Sequence, residues 1–103
     1  MPKVNKRDLE ELGFVKSTDG YLYHYGDPSY NTHLHLGAYG SGYKPLDIQY
    51  LSAKFDDQGI GNFGYSAVTK QFKTYKLDEV QGHAEAVDEF RRVIDKLNKI
   101  VTN

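Results

Sequence analysis

Two histidines, His33 and His35, stand two residues apart in the run Thr32-His33-Leu34-His35-Leu36. If that run is a strand, alternation turns both imidazoles to one face, where they could share a metal ion. A catalytic zinc site asks for a third protein ligand. The other histidines do not supply one on this reading. His24 has the wrong parity in the preceding strand, and His83 stands near a helix start. No HExxH pattern or well-placed glutamate completes the set. The expectation is no metal, no cofactor and no catalytic residue, with a small metal-dependent enzyme at His33 and His35 as one alternative.

The second set of candidates is aromatic. The chain has nine tyrosines and ten glycines but no tryptophan. Seven of the tyrosines lie between Gly20 and Ala53, where only Asp27, Lys44 and Asp47 carry charge. With Leu22, Leu34 and Leu36 taken as inward-pointing, alternation sends Tyr21, Tyr23, Tyr25, His33 and His35 to the opposite face. Tyr39 and Tyr43, in the glycine-rich stretch Gly37 to Pro45, extend it. The reverse orientation would bury the tyrosines and expose three leucines. Tyrosine offers large, stiff, amphipathic contact area, with Ser and Gly adapting around it. These seven residues are the candidate partner-binding face of a non-enzymatic binding or regulatory protein. The expected partner is another protein or a second copy of the chain.

A third set is Lys70, Phe72, Lys73, Tyr75 and Lys76, which mixes cations and aromatics as single-stranded nucleic-acid sites do. On one strand, however, Lys73 would point away from Lys70 and Lys76, as on a lysine-protected solvated edge. Other motifs stop short of chemistry. Gly37 to Gly42 lacks the Gly-Lys-Ser/Thr ending of a phosphate loop, and Ser41 and Ser52 lack a nucleophile elbow.

Composition narrows the field. A chain of 103 residues suits one domain with one core. A net charge of -1 and a pI near 6.4 argue against polyanion binding driven by bulk charge. The absence of cysteine fits a reducing compartment. No stretch reads as a signal peptide or a membrane span, so the expected location is cytoplasmic. In texture the chain resembles small phage or mobile-element proteins, and an inhibitor of a host protein would suit the binding reading.

What must position these residues is an α+β framework. The strongest periodic signal is at the end: Val80, Ala84, Val87, Phe90, Ile94, Leu97 and Val101 form an apolar stripe, widened by Ala86, Val93 and Ile100. A long amphipathic helix is expected within Asp78 to Val101. Asp78 and Gln81 imitate a capping box, and Gly82 weakens the start, so the firm helix begins near His83. At the other end, Asn5 opens a short helix that Gly13 closes, with Phe14 folding back on Leu9 in a Schellman ending. Between them the expected strands are Phe14 to Lys16, Tyr21 to Tyr25, Thr32 to Leu36, about Asp47 to Phe55, and one within Ala67 to Lys76. Turns fall at Thr18-Asp19-Gly20 and Gly26 to Ser29, and Gly59, Gly61 and Gly64 make the stretch after Phe55 irregular. The predicted architecture is two-layer: a short N-terminal helix, an antiparallel meander of about 4–5 strands, and the C-terminal helix packed on one face.

Overall fold

The computed structural model describes residues 2–18, 21–27, 32–40, 44–56 and 58–101. Tyr43, the Asp19-Gly20 turn and Pro28-Ser29 lie outside the described residues. The elements in chain order are β1 (Lys3–Val4), α1 (Lys6–Leu12), β2 (Val15–Lys16), β3 (Leu22–Asp27), β4 (Thr32–Tyr39), β5 (Leu46–Phe55), β6 (Gln58–Asn62), β7 (Tyr65–Ser66), β8 (Gln71–Phe72) and α2 (Ala84–Val101). A 3-10 helix at Tyr75–Glu79 precedes α2.

Strands β1, β5, β4, β3 and β2 lie side by side in one antiparallel sheet, with β6 added to β5. Strand β5 organises it. Its ten residues are long enough to pair with β4 along one edge and with β1 and β6 along the other. Register shifts at Gly37/Ala38 and Ala53/Lys54 are bulges, which bend a strand and increase its twist, and the sheet curls.

Both helices end up against the same hydrophobic core. Helix α2 buries Val87, Phe90, Val93, Ile94 and Leu97, the centre of the apolar stripe. It starts at Ala84, after Gly82 takes a left-handed φ of 82°. Asp78 and Gln81 do not cap it: Asp78 pairs with Arg91 at 2.5 Å, and the Gln81 backbone bonds the Gln58 side chain. Helix α1 ends as its spacing implies. Gly13 has φ 106°, its N–H donates to Glu10 O, and Phe14 N–H donates to Leu9 O, the two bonds of a Schellman motif. Leu9 and Phe14 are both buried there.

Two parts of the meander differ from expectation. Residues Gln58–Asn62 form a strand despite their glycines, because the exposed edge of β5 supplies the hydrogen bonds and Ile60 reaches the core. The strand expected within Ala67 to Lys76 is instead half of the small β7–β8 hairpin, outside the main sheet. Asn98 of α2 holds that hairpin. Its Oδ1 accepts from Phe72 N–H at 2.7 Å and its Nδ2 donates to Phe72 O at 3.1 Å. No helix among the described residues is long and apolar enough to cross a membrane.

Candidate functional site

The sheet has two unlike faces, and the register of β3 against β4 decides which residue meets which. Tyr23 lies opposite Leu36, His24 opposite His35, Tyr25 opposite Leu34, and Leu22 opposite Gly37. Directly opposed residues of an antiparallel pair share a face. Odd-numbered residues of β3 therefore share a side with even-numbered residues of β4. The parity assumed from sequence, with Leu22 beside Leu34 and Leu36, is off by one.

This corrects two site residues. Tyr23 is only 2% exposed and lies in the core against the Leu34 and Leu36 side. Tyr25 is half-buried on that same side. Its ring meets Phe14 and Phe90 edge-on, and its hydroxyl donates to Glu89 Oε1 at 2.6 Å. Burial, then the Glu89 bond, pushes the Tyr25 phenol up to about 12. Neither tyrosine belongs to the outer surface.

The same shift of one residue brings His24 to the outer face, against the parity assigned to it above. His24 lies directly opposite His35, and His33 follows two residues before His35 on β4. The His33 and His35 rings stack with centroids 4.2 Å apart, and the His24 ring stands edge-on to His35 at 4.6 Å and to His33 at 5.7 Å. One ring nitrogen from each of the three lies within 4.8 Å of the others. His33 Nε2 touches His35 Nε2. His83 is elsewhere, paired with Asp56 at 3.2 Å beside Phe55.

Burial makes this cluster unusual. His33 is 3% exposed although it sits on the outer face, and His24 Nδ1 and His33 Nδ1 are buried with no hydrogen-bond partner among the described residues. Burial, then the neighbouring His35 and His24, lowers His33 to about 4; Lys54, its partner across the β4–β5 ladder, acts in the same direction and Asp27 against it. Burial also lowers His35. Burial thus works against the charged form of both rings.

Further along the same face, Gly37 has no side chain where Tyr50 crosses β4. A Cβ there would collide with the Tyr50 ring. The Tyr21 and Tyr39 rings then stack with centroids 4.4 Å apart and planes 22° from parallel. The neighbouring Tyr21 hydroxyl raises the Tyr39 phenol, and burial raises that of Tyr50. The outer face thus brings together Tyr21, His33, His35 and Tyr39 from the sequence-predicted set. It adds His24 and Tyr50. Tyr50 could have been found from alternation along β5, since it shares parity with Ser52 and Lys54 rather than with Leu51 and Ala53.

The cationic strip does not assemble as a strand face. Lys70 occupies a left-handed turn with φ 59°, Lys73 follows β8, and Lys76 is in the 3-10 helix. Phe72 is buried against α2 and Tyr65, with its ring withdrawn from any base. The glycine-rich stretch begins inside β4, which runs on to Tyr39.

In comparison with known proteins, no family model matches the chain. No curated protein and no solved structure matches it either.

Proposed function

We propose that this protein is a non-enzymatic binding module, and that the outer sheet face carrying Tyr21, Tyr39, Tyr50, His24 and His35 is the surface it presents to a protein partner. One observation carries the reading. Among the described residues only four large apolar side chains are left exposed, and two of them, Tyr21 at 40% and Tyr39 at 48%, are stacked on each other. Scattered exposed apolar residues are ordinary, whereas an adjacent rigid aromatic pair next to further half-buried rings is the composition of an interface centre. Charge points to the same kind of partner. The histidine-to-tyrosine stretch is mostly uncharged, and the described Asp47 at its end is already paired with Lys3 at 2.9 Å. A polyanion would find little to hold there.

The test is a double variant, Tyr21→Ser with Tyr39→Ser, compared with the wild type in pull-downs from the native cell and by sedimentation. The expected result is a denaturation midpoint lowered only slightly, together with loss of the partner that the wild type retains. A wild-type preparation that self-associates, with the variant monomeric, would make that partner a second copy. Identical retention and sedimentation of the two proteins would overturn the proposal.

A further inference from the structure

Three imidazoles meeting on a sheet face call for a physical reason. His33 and His35 are pressed together nitrogen to nitrogen, Nε2 against Nε2, and a ring nitrogen of His24 lies within 4.8 Å of both. Two neutral rings can satisfy one another only once, through a single N–H donated to a single lone pair. A third ring brought to the same spot adds another lone pair with no donor. A divalent cation resolves this, because it accepts all three lone pairs together.

We propose that His24, His33 and His35 bind one divalent first-row transition metal ion, of the Zn²⁺, Co²⁺, Ni²⁺ or Cu²⁺ type, leaving at least one coordination position open. The observations are geometric and go beyond the binding-module reading, on which they do not depend. The ligands come from the two paired strands β3 and β4, and the direct opposition of His24 and His35 fixes their backbones relative to each other. Ring nitrogens at about 2.0–2.1 Å from a tetrahedral ion lie about 3.3 Å from one another. In the cluster the ligand atoms all fall within 4.8 Å, with His33 Nε2 and His35 Nε2 in contact. The His33–His35 contact is tighter than that spacing and the others lie within 4.8 Å, so an ion would have to part the closest pair of rings.

The donor set chooses the metal class. Three imidazole nitrogen donors suit borderline ions, and hard Ca²⁺ or Mg²⁺ would demand oxygen ligands instead. No cysteine is present anywhere in the chain, so thiolate-seeking ions have no ligand here. The unpartnered Nδ1 atoms of His24 and His33 also lack the carboxylate or carbonyl that usually orients a ligating imidazole. That shell contributes some 10–100-fold in affinity at other sites, so binding here should be correspondingly weaker than in sites that possess it.

The test uses the whole chain, stripped of metal with a chelator and titrated with Zn²⁺ by calorimetry and with Co²⁺ by its visible spectrum. One ion per chain is expected, together with a Co²⁺ spectrum of four- or five-coordinate nitrogen ligation and no response to Mg²⁺. His24→Gln and His35→Gln should each weaken binding by at least ~100-fold, as loss of a direct ligand exceeds loss of an outer partner. His83→Gln should leave it unchanged. Because His33 is buried and its replacement could disturb folding, the wild type itself supplies the second readout. Ring-nitrogen resonances of His24, His33 and His35 should move on adding Zn²⁺, while those of His83 stay in place. Absence of saturable one-to-one binding would overturn the proposal. So would affinity lost equally in His83→Gln, or resonance shifts centred on His83.

Discussion

The two faces of strands β3, β4 and β5 are built by opposite rules. On the inner face Tyr23, Leu34, Leu36, Leu51 and Phe55 are buried in one core with the apolar side of α2, and the half-buried Tyr25 beside them donates its hydroxyl to Glu89. On the outer face, one residue away along each strand, two buried imidazole nitrogens have no partner among the described residues, and Tyr21 and Tyr39 lie open to solvent. The inner face is what a fold needs. The outer face lowers stability where it could have been filled with apolar or exposed charged residues, and places where local rules are broken in this way are where function is expected.

That comparison predicts very different responses to mutation, and the largest belongs to the helix that closes the inner face. Phe90→Ala or Leu97→Ala should lower stability by ~2–5 kcal/mol, the range for large-to-small changes in a core. Lys96→Ala, on the exposed side of the same helix, should change it by under about 0.5 kcal/mol. Denaturant titration of the three variants gives the numbers. Similar midpoint shifts in all three would show that α2 does not close the core.

Comparable in size is the contrast between a pair of tyrosines two residues apart. Tyr23→Ser removes an aromatic ring from a position 2% exposed and should cost ~3–5 kcal/mol. Tyr21→Ser removes a ring that is 40% exposed and stacked on Tyr39, and should cost about 1 kcal/mol or less. Equal destabilisation by the two would mean that the faces are not distinct at this end of β3.

Much of the inner face could be read from the chain, and the reason is that burial leaves a periodic trace. The stripe of α2, the Schellman ending at Gly13 and Phe14, and the strands around Leu34 and Leu51 all follow from local pattern. The outer face could not be read as safely. Whether His24 joins His33 and His35 depends on the register between two strands, and a single-residue slip moves every side chain to the other side. Nothing within either strand records that register. Strands of two residues, such as Lys3–Val4, are likewise too short for a pattern, and exist because β5 extends beyond β4's other neighbours and has an edge to offer.

A smaller effect comes from pH at the boundary of the inner face. The Tyr25 phenol is raised to about 12, while in the unfolded chain tyrosine ionises near 10. Between these values the unfolded state releases a proton that the folded state keeps. The stabilisation is therefore fully present below pH 10 and is lost as pH rises from about 10 to about 12. A fully buried phenol raised this far would contribute roughly 3 kcal/mol. The Tyr25 ring is only half-buried and solvent screens it, so about 1 kcal/mol is expected. Tyr25→Phe should flatten that part of the stability–pH curve. A wild-type curve no steeper than that of Tyr25→Phe would remove the Glu89 contact from the account.

The smallest expected effect is the one that divides the faces most sharply. His24→Leu replaces an imidazole whose buried Nδ1 has no partner by an apolar side chain, in a position opposite His35 and among rings. Removing a buried polar group that was never satisfied is close to neutral or stabilising. In metal-free protein the midpoint should accordingly move by no more than about 0.5 kcal/mol in the destabilising direction, although the substituted residue lies on a central strand. The inner-face change Leu36→Ala, one ladder position away, should cost ~2–5 kcal/mol. Zinc then separates the variants in the other sense. An ion that binds only the folded state adds stability in proportion to the logarithm of its concentration over Kd. Wild type and Leu36→Ala should both gain on adding Zn²⁺, and His24→Leu should not. If His24→Leu is instead as costly in chelator as Leu36→Ala, the histidine is a structural member of the sheet, and the outer face is not held in reserve for a ligand.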